Sequence, residues 1–144
     1  MAINLIPAFA LLAICVAIHA TGLSLLLRWM EKRTQHGKRT MWKDIWLLVR
    51  VSWIIVALHT LQIIIFAIFY LDVGSMPDIH TAFYFSAVTY TTVGYGDILI
   101  PEAWRGLAGA EALTGILMTG LSTGFFFMIL SRVFIHTNRS KDQE

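Results

Sequence analysis

Residues 91–97 read Thr91-Thr92-Val93-Gly94-Tyr95-Gly96-Asp97 (TTVGYGD), with glycines at alternate positions. Glycine adopts left-handed dihedrals at little cost, so Gly94 and Gly96 let successive carbonyls turn to one side of the chain instead of alternating as in a β-strand. A column of carbonyl oxygens results. Upstream, Pro77 and Asp78 mark the start of a helix over 79–90, with Asp78 as its N-cap. Its roughly 12 residues give about 18 Å of helix, enough to enter a bilayer but not to cross it. Downstream, Asp97 and Pro101 separate the glycine-bearing strand from a new helical start at Trp104. The whole 72–106 segment is too long for a tight turn and too aromatic for a solvated linker, so part of it is expected to be buried.

The rest of the chain supplies the surroundings. Of 144 residues, 57% are hydrophobic and only 14% charged, and the mean hydropathy is +0.68, outside the range of soluble domains. Stretches 6–27, 51–71 and 107–130 are each long enough to span a hydrocarbon core, which takes about 20 helical residues. The first is read as a retained span: no positive charge precedes it and no small-residue cleavage site followed by a soluble domain comes after it. Basic residues collect between the first two spans (Arg28, Lys32, Arg33, Lys38, Arg39, Lys43, Arg50) and after the third (Arg132, Arg139, Lys141), which puts both regions in the cytoplasm and the N-terminus outside. The opposite side carries Asp72, Asp78, Asp97 and Glu102 against a single Arg105, so its field concentrates cations. Trp29, Trp42, Trp46 and Trp53 group at the inner boundary and Trp104 lies at the outer one, as interfacial anchors.

Backbone at membrane depth that is neither helix nor closed barrel is tolerated only where protein surrounds it or where it lines a water-filled path. In that setting, Thr92-Val93-Gly94-Tyr95-Gly96-Asp97 resembles the signature of the potassium-channel pore domain, and the likeness extends over roughly 51–134. The resemblance implies an all-α membrane protein: three transmembrane helices with a re-entrant pore helix and a filter loop, assembled as a tetramer around a central pore. It implies passive, K+-selective conduction, with K+ ions bound by the carbonyls of Thr92, Val93, Gly94 and Tyr95 and by the Thr92 hydroxyl in place of their hydration shell. One chain brings one filter strand and the family encircles the ion with four, so a homotetramer is the expected form.

The expected organisation is a first transmembrane helix over 1–30, a basic loop over 31–45, a pore domain over 46–134 and a short tail over 135–144. Within the pore domain the outer helix is expected over 46–71, the pore helix over about 79–90, the filter over 92–97 and the inner helix over about 104–134. The first helix has no counterpart in a two-span pore and is expected to pack outside the second span.

Several residues are candidates for supporting roles. By the resemblance, Tyr84 stands where the family often has a Trp bonded to the filter aspartate, so Tyr84 and Asp97 are expected to brace the filter together with Gly96; plain packing of Tyr84 is the alternative. Phe83, Phe85 and Tyr90 are expected to pack around the filter. Gly115 matches the family's hinge glycine and is expected at a bend, with Gly120 and Gly124 used for close packing. Helical phase from Gly115 puts Ile116, Thr119, Thr123 and Phe127 on one face, expected to line the inner cavity. Phe127 is a candidate hydrophobic constriction, core packing being the alternative.

Glu111 is the one carboxyl within a span, which makes it a functional candidate because intramembrane charge is costly; a protonated carboxyl, a bond to Thr89 or Thr91 at the base of the short helix, and a satisfied packing contact all fit. His19 and His59 fall at similar depths in adjacent antiparallel spans and are expected to meet. A neutral structural pair and a pH-sensitive pair both fit.

Other classes find little support. No span carries arginines at every third position, as a helical voltage sensor would. Metal-site spacings, nucleophile constellations and nucleotide-binding motifs are not evident, so an enzyme is not expected, nor are a nucleic-acid partner or a soluble ligand-binding domain. The partners expected are other copies of the chain and the lipid bilayer, in a cell membrane, by likeness to short prokaryotic channels a bacterial cytoplasmic one. A potassium-uptake subunit would carry four degenerate filters where this chain has one; a nonconducting partner subunit is the remaining competitor.

Overall fold

The computed structural model describes residues 5–34 and 41–141, and every regular element in that range is helical: α1 (Leu5–Thr34), α2 (Met41–Asp72), α3 (Ile79–Tyr90) and α4 (Arg105–Lys141), with a single 3-10 turn at Glu102–Trp104 leading into α4. Among the described residues, three helices are long and apolar enough to cross a membrane, over Ile6–Lys32, Trp42–Asp72 and Glu102–Arg132. The all-α membrane architecture expected from the sequence is the one observed. Parts of the expected basic loop (35–40) and of the expected tail (142–144) lie outside the described residues. The helix α4 outruns the end expected for the inner helix, because no proline or glycine follows Gly124 to stop it before Lys141.

The short helix α3 starts where its cap predicts. Asp78 is extended, and its carboxylate accepts from the backbone N–H groups of His80 and Thr81, each at 2.9 Å. It also accepts from the Thr81 hydroxyl at 2.8 Å. These bonds, the Thr81 N–H first among them, hold the exposed Asp78 carboxyl below the usual carboxylate range. α3 then buries Ala82, Phe85, Ser86 and Tyr90 against the long helices.

The core is built in layers along the membrane normal. Towards the outer end, Ala8, Leu11 and Cys15 of α1 join Phe66, Ala67 and Tyr70 of α2, Phe85 of α3 and Leu107 of α4. Towards the inner end, Leu26, Met30, Val51 and Ile129 form a second cluster. α1 was expected to pack outside α2; it packs on α2 and, more extensively, on α4 as well. Its polar and charged contacts explain this, since His19 bonds Ser122 of α4 at 2.8 Å and Glu31 approaches Arg132 at 4.0 Å. That ion pair joins the C-terminal parts of α1 and α4.

Candidate ion-path strand and its intramembrane supports

α3 ends in a chain reversal that spends its last carbonyls on the strand that follows. The N–H of Thr91 bonds the carbonyl of Ala87 at 3.1 Å and that of Thr92 bonds Thr89 at 3.0 Å. The Val88 carbonyl accepts from both Val93 and Gly94, at 3.0 and 3.2 Å. The strand thus begins directly beneath a helix C-terminus, whose dipole favours a cation.

Along the strand, φ is positive at Thr92 (61°), Gly94 (58°) and Gly96 (75°). Left-handed residues therefore alternate with ordinary ones, the arrangement that turns successive carbonyls to one side. The sequence pointed to the two glycines but not to Thr92, whose branched side chain normally avoids this region at a cost of about 1–2 kcal/mol. Strain of this kind persists only where the surroundings over-determine the backbone, and the Val88 carbonyl clamp just ahead of Gly94 does so. Val93 and Tyr95 are exposed on the single chain, at 52% and 72%, so the strand is not enclosed by its own subunit.

Behind the strand, the Tyr84 hydroxyl donates to Asp97 Oδ2 at 2.8 Å. The two residues help line a cleft of about 250 Å³ together with Gly94, Gly96 and Arg105. Ile116, Thr119, Thr123 and Phe127 all lie on the exposed side of α4, opposite the buried Glu111, Thr114, Met118, Ser122 and Ile129.

The glycines of α4 differ in what faces them. A Cβ at Gly115 would overlap the Tyr90 carbonyl oxygen and sit 2.8 Å from its carbonyl carbon, and α4 runs as a continuous helix through this position. Gly115 is therefore a close-packing residue in this structure, not a bend. Gly120 and Gly124 have nothing within 4 Å of a built Cβ; they line an open apolar groove with Leu23 of α1.

Glu111 is fully buried, but its partners are not Thr89 or Thr91. Its Oε2 accepts from the Tyr70 hydroxyl at 2.6 Å, and its Oε1 meets Ser86 Oγ at 2.5 Å. Ser86 Oγ also lies 2.9 Å from the Ile63 carbonyl. One hydroxyl proton serves two acceptors only as a weaker shared bond, so two full hydrogen bonds form when Ser86 donates to Ile63 and the Glu111 carboxyl supplies the other proton. The cluster joins α2, α3 and α4.

His19 and His59 do meet, with ring centroids 5.1 Å apart, and three further residues join them, Tyr90 and the two polar residues Gln62 and Ser122 that the sequence did not single out. His19 and His59 share Ser122 Oγ, at 2.8 and 3.1 Å. On their other sides, Gln62 Nε2 is 2.9 Å from His19 Nδ1 and Tyr90 Oη is 2.9 Å from His59 Nδ1. The Tyr90 hydroxyl donates to Gln62 Oε1 at 2.5 Å, closing a ring. Tyr90 is thus a bonded member of a polar cluster and not the packing residue expected. The available signal was the presence of Gln62 and Ser122 inside apolar spans, where polar side chains need partners. Among the described residues, no buried side-chain nitrogen or oxygen lacks a hydrogen bond, and no group of His, Cys, Asp and Glu is placed to hold a metal ion.

A half-span helix feeding a strand of alternating handedness, set between two spanning helices, is the arrangement of an ion-channel pore domain. A family profile described as "Ion channel" matches residues 53–132, more than half of the chain. The chain belongs to this family, the two-helix potassium-channel pore family. No solved structure matches it at a significant level.

Proposed function

We propose that the protein is the subunit of a homotetrameric, K+-selective channel that conducts passively through the 92–97 strand. The observation that carries this reading is the alternation of left-handed residues at Thr92, Gly94 and Gly96 immediately after the C-terminus of α3. Such a strand offers oxygens from Thr92, Val93, Gly94 and Tyr95 to a dehydrated cation, and the Thr92 hydroxyl extends the column. Bound K+ occupies these oxygens in place of its water.

The exposure of the strand on the single chain supports the reading further, because fourfold cyclic symmetry would account for it. Such symmetry covers Val93 and Tyr95, which one chain leaves exposed, and brings four α3 C-termini to the axis, so a cation is favoured below the filter without an acidic side chain there. The exposed α4 face with Ile116, Thr119, Thr123 and Phe127 then lines the inner cavity. The Tyr84–Asp97 bond at 2.8 Å braces each strand from behind.

The test is potassium against sodium flux through purified protein in liposomes, with Gly94→Asp as control. The expected result is potassium flux in clear excess over sodium and its loss in the variant, because φ of +58° at Gly94 disfavours any side chain and a carboxylate there would invade the ion path. Equal sodium flux, or flux that survives the substitution, rejects the reading.

A further inference from the structure

The ring of His19, Gln62, Tyr90, His59 and Ser122 takes one residue from each of α1, α3 and α4 and two from α2. Its proton count is closed. The Tyr90 hydroxyl gives its proton to Gln62 Oε1, so its oxygen is free to accept from His59 Nδ1–H. His59 Nε2 then accepts from the Ser122 hydroxyl, whose oxygen accepts from His19 Nε2–H. His19 Nδ1 in turn accepts from the Gln62 amide. Every link runs the same way round, and within the ring each group donates once and accepts once. The assignment follows from the amide orientation, with its oxygen towards Tyr90.

This bookkeeping works only with both imidazoles neutral. A second proton on His59 sets two donors against Ser122 unless the serine hydroxyl rotates to its own helix; a second proton on His19 sets two donors against the Gln62 amide unless that amide turns over. The groups facing the histidines are His19 with Cys15 one turn away on α1, Tyr90 on α3 and Ser122 on α4. The nearby carboxyl, Glu111 on α4, has both oxygens engaged by Tyr70 and Ser86. No carboxylate is bonded to either imidazole among the described residues.

Tyr90 gives the ring its reach. It is the last residue of α3, directly ahead of Thr91 and Thr92. Its hydroxyl is held by the ring while its backbone carbonyl is pressed against Gly115 of α4. Fixed at both ends, it sets where the 92–97 strand begins.

We propose that the five-residue ring positions the base of the ion-path strand, that α1 takes part in this through His19, and that the ring holds only while both histidines are neutral. His19, His59, Gln62 and Ser122 are accordingly positioning residues, acting on permeation through Tyr90. The proposal rests on the channel reading above.

Two measurements on the full-length chain test it. In liposomes, the ratio of potassium to sodium flux should fall about tenfold or more between about pH 8 and about pH 3, a range wide enough to protonate a buried imidazole as well as a free one. The double variant His19→Gln/His59→Gln should lose this profile, and Tyr90→Phe should show at about pH 8 the low ratio that the parent shows in acid. A flat parental profile, or one that persists in the double variant, overturns the ring's role while leaving the channel reading intact. No potassium flux from the parent at any pH overturns the channel reading and this role with it.

The second measurement does not depend on flux. Nitrogen-15 NMR of histidine-labelled protein in lipid nanodiscs, with the signals of His19 and His59 picked out among the five histidines of the chain by their loss in His19→Gln and His59→Gln, should find these two imidazoles neutral and of opposite tautomer near neutral pH, since a ring running in one direction requires one of each. The same tautomer at both positions, or a charged imidazole at either of them at that pH, overturns the ring itself.

Discussion

The two polar clusters inside the membrane solve the same problem in different ways. Towards the outer side, one carboxyl, Glu111, binds Tyr70 of α2 and Ser86 of α3, and α1 meets that layer only with apolar side chains, Ala8, Leu11 and Cys15. Towards the inner side, no carboxyl is used: five residues close a ring, and α1 supplies one of them. The first cluster belongs to the pore domain and is complete without α1. The second is incomplete without it. Both secure α3, one at its middle through Ser86 and one at its end through Tyr90, so the short helix is fixed at two depths by bonds that water does not weaken.

The largest break in this comparison should come from Glu111→Ala. It empties a fully buried site and leaves the Tyr70 hydroxyl without its acceptor, a loss of about 2–5 kcal/mol by the usual cost of a core cavity with an unpaired polar group. Thermal denaturation of the purified protein in detergent measures it. Glu111→Gln sharpens the same point. An amide donates to Ser86 as the protonated acid does and still accepts from Tyr70, so its midpoint should lie close to that of the parent. A fall as large as that of the alanine variant would mean that the carboxyl is ionised.

Next in size is Gly115→Ala. The added methyl meets backbone, the Tyr90 carbonyl, and not a flexible side-chain end, so either α3 or α4 must shift. Overpacking of this kind costs about 1–3 kcal/mol. The comparison with Gly22→Ala is informative, because there the nearest atoms are the movable methyls of Leu58, at 2.7 and 2.8 Å. Gly115→Ala should therefore lower the melting midpoint more than Gly22→Ala does.

What the sequence disclosed and what it hid separate along physical lines. The three spans, the short helix capped by Asp78 and the left-handed glycines were legible because each rests on local chemistry: hydropathy over a window, a capping side chain, a missing Cβ. Thr92 was not, because its left-handed φ is imposed by the reversal around the Val88 carbonyl and opposes its own preference. The Tyr84–Asp97 pair was reachable through family resemblance. Tyr70, Ser86, Gln62 and Ser122 were hidden because a partner across helices depends on rotation and depth together, which helical periodicity on one segment does not fix. The further packing of α1 on α4 was hidden for the same reason: its apolar surface looks alike all round, and the residue that orients it, His19, bonds both α2 and α4.

A smaller effect should follow from Gln62→Leu, which keeps bulk and removes both amide bonds from the inner ring. Polar contacts between membrane helices are worth about 0.6–1.7 kcal/mol, so the melting midpoint should fall less than for Glu111→Ala. The loss should also depend on α1. In a His19→Ala background the ring is already open, and a second opening at Gln62 should add less than it does alone, which a double-mutant cycle on the midpoints reads directly. Full additivity would show that the two residues do not share a ring.

The smallest effect belongs to the exposed end of α3. Asp78 accepts from His80, Thr81 and the Thr81 hydroxyl, and its carboxyl is held below the usual range chiefly by the Thr81 N–H. A depressed folded-state value means that the ionised cap favours the folded form: its contribution is fully present above the ordinary carboxylate pKa and fades as pH falls through the lower folded value. Asp78→Ala should remove that contribution and with it the acid-side slope, while leaving the two buried clusters in place. Limited proteolysis of the 72–78 loop over an acid pH series reads this locally. The parent should become more cleavable as acid protonates the cap, and the variant should be more cleavable throughout with a flatter response. Equal slopes would indicate that the bilayer and the buried clusters, not the cap, hold the start of α3.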